Sequence, residues 1–469
     1  MKPVFIDFDN NSGKSLYVQL YEYLKREMIN GSIRSGERLP SLRALSNQLG
    51  VSITTCSRAY DQLLLEGYVE SRPQSGYYVA DLKLDRGVRE AADAASKTSS
   101  DMESDSSSGE RWKYYCDPAC FDFVKWKKCA VDVMAEQKED LLYPADPQGE
   151  YALRSEISRY LYRARGVTAS PSHIVISAGV QQLTNHLARI LSLIGIDIVN
   201  VEDPGYKPVQ HIFRDRGFTL NKVSVRHDGI DIDKLPVNMS TAVYVSPSNQ
   251  FPTGSVMPAA RRFSLLKWAD DNGSIIIEDD YDSELRYFDD PVPALKSLDK
   301  NDRTVYLGSF SSTLFPAIRI RYMVLPEKLA VYFEKNKADY DQTCSKIEQL
   351  TLASFMERGF YQSGIRKLRK MYASKLSKVI SSFKRYGENL VIAEDTMSGI
   401  NIRLNVMSDK DADKLCGEAS SLKLHMVPLP EMPDNEIRQS KHLLFYYDQI
   451  PEDEIENSVK SVCSLWKVV

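Results

Sequence analysis

The chain opens on a helical pattern. Leu16, Leu20, Leu24 and Met28 recur every fourth residue behind Ser15, marking one apolar helix face. A second, shorter period (Leu42, Leu45, Leu49) stops at Gly50. Ser52 then stands as an N-cap before a third helix, with Cys56, Ala59, Tyr60 and Leu63 facing inward and Gly67 closing it. From Tyr68 the period changes: YVESRPQSGYYV reads as two strands around a Pro-Gln-Ser-Gly turn. Beyond the first hundred or so residues, strand-length apolar runs (HIVISAGV, IDIVNVEDPG, AVYVSPS, SIIIEDD, TVYLGSF) alternate with helical stretches such as QQLTNHLARILSLI. That alternation predicts an α/β domain with a mostly parallel sheet, whose ligands gather at the carboxyl ends of the strands. Between the two patterns, residues 85–111 carry only Val88 and Met102 as sizeable apolar groups, and no aromatic ones. Such a stretch buries too little apolar surface to offset the entropy of ordering, so it predicts a flexible, acidic, Ser-rich linker over residues 83–113.

A helix, a helix-turn-helix and a hairpin in that order predict a winged helix-turn-helix of α+β class over residues 1–82. In that arrangement the third helix fits the major groove of double-stranded DNA and the hairpin wing rests on the backbone. Ser41 and Arg43 open the second helix, Ser52 caps the third, Thr54, Thr55 and Arg58 lie along it, and Arg72 sits on the wing. These seven are the candidate DNA-binding residues.

Composition narrows the choice. The 469 residues carry 60 basic and 64 acidic side chains, a net charge of −4, with 43% apolar and 26% charged residues. That length predicts two to four domains. The balance excludes a largely disordered chain, a collagen-like repeat and a membrane bundle, and argues against a bulk polyanion binder. No run of 18 apolar residues occurs, and MKPVFIDFDN lacks a signal-peptide pattern, so a cytoplasmic protein is expected. Charge is uneven along the chain: residues 1–80 hold nine basic groups against eight acidic, and residues 85–111 seven acidic against four basic. A weakly positive head predicts modest non-specific DNA affinity, with operator choice left to specific contacts and dimer geometry. The seven cysteines are scattered, and the spacing of Cys116, Cys120 and Cys129 matches no common zinc pattern. Nor do the six histidines form a metal motif, so reduced thiols and no metal are expected.

Candidate chemistry in the large unit falls at strand ends. Ser177-Ala178-Gly179-Val180-Gln181 joins a strand to a helix, whose first backbone N–H groups suit a phosphate. Tyr206 follows Asp203-Pro204-Gly205 and offers a ring to a flat ligand. Asp279 and Tyr281 end the Ile275-Ile276-Ile277 strand; an Asp there suits a protonated ring nitrogen and a Tyr a phenolic oxygen, although a capping carboxylate is the common alternative. Arg319, after Ser309-Phe310-Ser311, is a fixed cation for a phosphate.

Two resemblances add to these readings. Residues 15–82 closely resemble the GntR-type winged-helix domain of bacterial transcription regulators. The likeness is carried by Pro40-Ser41-x-Arg43-x-Leu45, Leu49-x-Val51-Ser52, Thr55, Arg58-Ala59-Tyr60, Leu63-x-x-Glu66-Gly67-Tyr68 and Ser75-Gly76-x-Tyr78-Val79. It departs at Ile53 and Gln74, where that family usually has Arg and Gly. Residues from Tyr143 to Pro326 resemble fold type I pyridoxal-phosphate enzymes of the aspartate aminotransferase kind, through Tyr143-x-x-Asp146-Pro147-x-Gly149-x-x-x-Leu153-Arg154, Pro252-Thr253-Gly254 and Gly308-Ser309-Phe310-Ser311. Together the arrangement resembles the MocR/GabR subfamily. It implies an aminotransferase-like effector-binding and dimerisation domain over residues 114–469, ending in a small subdomain. The resemblance further implies that Asp279 meets the pyridine nitrogen of pyridoxal phosphate, Tyr281 its phenolic oxygen and Arg319 its phosphate. Val180 and Gln181 would sit in the phosphate loop, Ser309 and Ser311 would be cofactor-binding, and Tyr206 would be an active-site aromatic.

The decisive departure is at Ser312. The resemblance places a Schiff-base lysine there, in Ser-Lys-x-Leu-x-Pro, whereas this chain reads Ser311-Ser312-Thr313-Leu314-Phe315-Pro316. A hydroxyl forms no imine, so no catalytic residue is assigned, and any pyridoxal phosphate is expected to bind non-covalently. Arg321 also stands where a small Gly is usual. The reading is therefore a homodimeric DNA-binding regulator, not an enzyme, that senses a small molecule: pyridoxal phosphate or an amino-acid-related metabolite. The alternatives are a working aminotransferase with an appended head and a scaffold dimer with an empty pocket. Arg403 and Arg438 remain candidates, without motif support, for holding a substrate carboxylate.

Overall fold

The computed structural model describes residues 6, 8, 15–72, 75–80, 117, 120–287, 293–394, 399–429 and 440–467. The chain divides into two compact units, Met1–Ser108 and Gly109–Val469. The expected linker at 83–113 lies outside the described residues, as do Cys116, Gln74 and Arg438.

In the first unit the helices are α1 (Leu16–Ile29), α2 (Leu42–Leu49) and α3 (Ile53–Leu65), followed by strands β1 (Val69–Arg72) and β2 (Gly76–Val79). The four-residue period of α1 buries Leu20, Leu24 and Met28, while Leu16 stays 36% exposed at the helix end. Gly50 ends α2 at φ +67°, a left-handed turn that a side chain would strain. Cys56, Ala59, Tyr60 and Leu63 of α3 pack on α1 with no exposure. The antiparallel hairpin runs Val69 opposite Val79 to Arg72 opposite Gly76, so the winged helix-turn-helix pattern is realised.

The second unit is built on an eight-stranded sheet. Its strands are β3 (Ile174–Ala178), β4 (Ile198–Asp203), β5 (Thr219–Arg226), β6 (Gly229–Ile230), β7 (Ala242–Val245), β8 (Ile275–Asp279), β9 (Thr304–Ser309) and β10 (Ile320–Val324). Their order is β3-β10-β9-β8-β7-β4-β5-β6. Pairs from β9 through β5 are parallel, whereas β10 runs antiparallel to both β3 and β9. Helices cover both faces, because strands such as Ile275–Asp279 are buried throughout and present apolar groups both ways. One face carries Val175, Val201, Tyr244, Ile277, Leu307 and Met323; the other carries Ile176, Tyr306 and Tyr322. A small subdomain follows, with four antiparallel strands ordered β11 (Val391–Glu394), β12 (Asn401–Met407), β14 (Ser440–Tyr446) and β13 (His425–Pro428). The 27-residue helix Phe360–Tyr386 packs against it. β5, β6 and β10 were missed in the sequence pattern: β5 is half polar, β6 spans two residues, and β10 begins directly after a 3-10 turn.

Candidate functional site

Strand alternation gathers the candidate residues. Side chains two apart share a sheet face, so the apolar row Ile277, Leu307 and Met323 gives way at the strand ends to Asp279, Ser309 and Arg321. Ser177 of β3 lies opposite Arg321, and Arg321 lies opposite Ser309. Four polar residues from four strands therefore stand on one face, above an apolar floor.

Gly179 and Arg319 meet at the start of the first large-unit helix after β3. Gly179, at φ +87°, is the turn from β3 into helix Val180–Leu193. A Cβ there would sit 2.8 Å from Nη2 of Arg319, so the missing side chain is what lets the guanidinium lie against the helix start. Arg319 itself takes a left-handed conformation at φ +53° between a 3-10 turn and β10. Val180 is buried at the first helical position, and Gln181 is exposed beside it. The Ser309 hydroxyl accepts the Ser311 N–H at 3.2 Å, which folds that loop toward the same end. The Ala178 N–H is already taken by Thr343 Oγ1 at 2.9 Å.

The acid end is unsaturated. Tyr244 donates its phenolic hydrogen to Oδ2 of Asp279, while Oδ1 has no hydrogen-bond partner among the described residues. The nearest cation to Oδ1 is Arg321 Nη1 at 3.9 Å. Burial pushes the Asp279 carboxyl above its ordinary range, and Arg321 and Tyr244 offset this only in part. Tyr281 is half-buried, and its phenol is pushed well up by burial and by Asp282 and Asp279 nearby. Asp282 is buried with Oδ1 unpartnered among the described residues, and burial raises its carboxyl against the lowering influence of Ser312 and Arg321. Glu202, at the end of β4, is buried with Oε1 unpartnered among the described residues. Burial moves its carboxyl up to about 8 against the bonds from Gln250 and the Ser246 N–H. Tyr206 precedes helix Lys207–Asp215 and meets Phe251 edge-on, with ring centres 6.1 Å apart.

Behind the pocket, on the other sheet face, Asp280 is saturated. Arg165 grips it with Nε and Nη2 at 2.8 and 2.9 Å, and Tyr306 and Ser283 donate at 2.6 and 3.0 Å. Sequence reading missed Tyr244, Asp282 and Arg165, since nothing in their local spacing points to the partners they meet. Arg403 donates to the Thr253 carbonyl at 3.1 Å and pairs with Glu394 at 2.6 Å, so both arms of its guanidinium are engaged. No cluster of metal-ligating side chains occurs among the described residues. Nor is any helix among them long and apolar enough to cross a membrane.

In the first unit the DNA-facing candidates divide in two. Ser41 and Ser52 spend their hydroxyls on the Ala44 and Thr55 N–H groups at 3.2 and 3.1 Å, and the Thr55 hydroxyl meets that of Ser52 at 2.9 Å. These three set the helix starts. Arg43, Thr54, Arg58 and Arg72 are exposed. Arg72 lies 4.3 Å over the Tyr78 ring and Arg58 5.8 Å from that of Tyr17, aromatic contacts that steady long side chains. The acidic Glu66 at the far end of α3 is held by Lys25 and Tyr21, which with Gln62 bring its carboxyl down to about 2.

A winged helix-turn-helix followed in the chain by an α/β domain with a mostly parallel sheet defines a DNA-binding transcription regulator with an appended second domain. Residues 16–79 match the bacterial regulatory proteins of the gntR family, and residues 115–400 match the aminotransferase class I and II family. The HTH-type regulator YdeL of Bacillus subtilis is 35% identical, with 97% of each chain covered. The rhizopine catabolism regulatory protein MocR of Rhizobium meliloti is 31% identical over 84% of this chain and 82% of its own. The pyridoxine biosynthesis transcriptional regulator PdxR of Corynebacterium glutamicum is 32% identical over 77% and 78%. The chain belongs to this family of gntR-type regulators carrying an aminotransferase class I and II domain, in keeping with the MocR/GabR subfamily. Its fold is also that of the Pyrococcus horikoshii kynurenine aminotransferase, solved with PMP, with TM-score 0.64, 22% identity and coverage of 83% and 96%.

Proposed function

We propose that the aminotransferase-type domain senses a small molecule and runs no transamination. The carrying observation is Ser312: where the resemblance expects an amine, this chain has only a hydroxyl, which forms no imine. The residues present suit most of pyridoxal phosphate. Arg319 at the start of helix Val180–Leu193, with Ser309 and Ser311 nearby, suits the phosphate. The unpartnered Oδ1 of Asp279 suits a protonated ring nitrogen, and Tyr281 a phenolic oxygen. Bound there, the cofactor would supply an electron-withdrawing ring. Asp279 would hold the nitrogen's proton, Arg319 would orient the phosphate, and Tyr206 would border the ring. No residue in that loop offers an amine for a covalent link.

The proposed mechanism is linkage in a cytoplasmic homodimer. A ligand that binds one arrangement of the dimer more tightly shifts the paired heads toward it, by no more than that difference in affinity. Arg43, Thr54, Arg58 and Arg72 would contact DNA, with Ser41, Ser52 and Thr55 fixing the helix starts. The test is to add pyridoxal 5′-phosphate to the purified protein, follow visible absorbance, reduce with borohydride and look for pyridoxyl-lysine. Saturable, dialysable binding with no pyridoxyl-lysine in the Ser311–Pro316 loop is expected, together with altered mobility on the gene's own upstream DNA. A stoichiometric lysine adduct, or turnover of any amino acid, overturns the reading.

A further inference from the structure

The pocket has lost a lysine but not its cation. Arg321 rises between Ser177 and Ser309, two small neighbours in register with it, and its side chain is 18% exposed. It lies on the same face as Asp279, two residues along the strand from Arg319. Around it are two buried carboxylates, Asp279 and Asp282, and the neutral Ser312. Buried carboxylates need a counter-charge, and residue 312 supplies none. At 3.9 Å from Oδ1 the guanidinium attracts Asp279 without hydrogen-bonding to it, and that oxygen has no other partner among the described residues. The pair is thus electrostatic and loose, unlike the two-point grip of Arg165 on Asp280.

We propose that Arg321 is a resident counter-ion that replaces the cation missing at position 312 and guards Asp279. A phosphate-bearing aromatic ring with a basic nitrogen then enters only by displacing the guanidinium from that carboxylate. This rests on the ligand class proposed above. The ring cation and Arg321 seek the same oxygen, so one leaves as the other arrives. Arg319 stays with the phosphate throughout, held against Gly179.

The test uses the full chain with pyridoxal 5′-phosphate and with its analogue bearing CH in place of the ring nitrogen, by equilibrium dialysis. Arg321→Leu is expected to tighten pyridoxal phosphate by about tenfold, with little gain for the analogue, while Arg321→Lys stays near wild type. Unchanged or weaker binding of pyridoxal phosphate by Arg321→Leu overturns the proposal, as does an equal gain for both ligands. A ligand-free measurement separates the two claims. With its counter-ion gone, Asp279 should lower the Tm of Arg321→Leu relative to wild type increasingly from pH 5 to pH 8. If that loss is absent, Arg321 is not the counter-ion. If it is present but neither protein binds pyridoxal phosphate, both the displacement and the proposed ligand class fall, and only the counter-ion remains.

Discussion

Asp279 and Asp280 are adjacent, both buried, and electrostatically opposite. Strand alternation sends Asp280 to the face where Arg165, Tyr306, Ser248 and Ser283 converge. Burial works against its charge, yet Arg165 and those bonds hold its carboxyl below the usual range. Asp279 faces the pocket with one tyrosine bond and one distant guanidinium, and its carboxyl lies above that range. A saturated buried acid is part of the scaffold. An unsaturated one costs stability and keeps a lone pair available for a ligand.

The harshest way to break the contrast is Arg165→Met, which strands Asp280 as an unpaired buried charge. A loss of about 3–5 kcal/mol is expected, measured by urea unfolding at pH 7. Asp280 has a depressed carboxyl, so its contribution is present above the ordinary aspartate pKa and is lost as pH falls through the folded value. The deficit of Arg165→Met should therefore narrow as pH drops below about 4. A pH-independent deficit would instead assign the loss to packing.

Glu202 extends the unsaturated side of the comparison. Its carboxyl is raised to about 8, so its stabilising, protonated form is complete near pH 4 and is lost as pH rises through 8. Glu202→Gln should match wild type near pH 4 and exceed it by about 1–3 kcal/mol at pH 8. Parallel unfolding curves at both pH values would remove Glu202 from the group. In the first unit, Ser52→Ala removes a saturated but exposed cap from α3 and should cost about 1 kcal/mol, read by thermal unfolding of that unit's transition. Arg58→Ala should leave stability alone and reduce the slope of log affinity against log salt by about 1. Asp279→Asn should also stay close to wild type in stability, within about 1 kcal/mol; its expected mark is weaker pyridoxal phosphate binding, seen in the same dialysis. A large stability loss there would place Asp279 with Asp280 in the scaffold.

Much of this was legible in the chain. Helical periodicity located α1 to α3, because burial of one helix face imposes that spacing, and strand-length apolar runs located the strands ending at Ala178, Asp203, Val245, Asp279 and Ser309, which are buried on both faces. Ser52 as a cap and Gly50 as a stop were equally local. The Gly179 turn was readable because a strand, a glycine and a helix stand in sequence there. The absence of lysine at position 312 is wholly a property of the sequence. What sequence alone did not settle was each polar group's partner. Tyr244 lies 35 residues from Asp279, and Arg165 lies 115 from Asp280. The out-of-place Arg321 was visible as an oddity, but only the antiparallel register of β10 between β3 and β9 aims it at Asp279. Local pattern records which side chains avoid water. Which buried charges meet, and which are left waiting for a ligand, depends on strand order, since electrostatic pairing at 3–4 Å in a low-dielectric interior is decided by tertiary neighbours and not by chain neighbours.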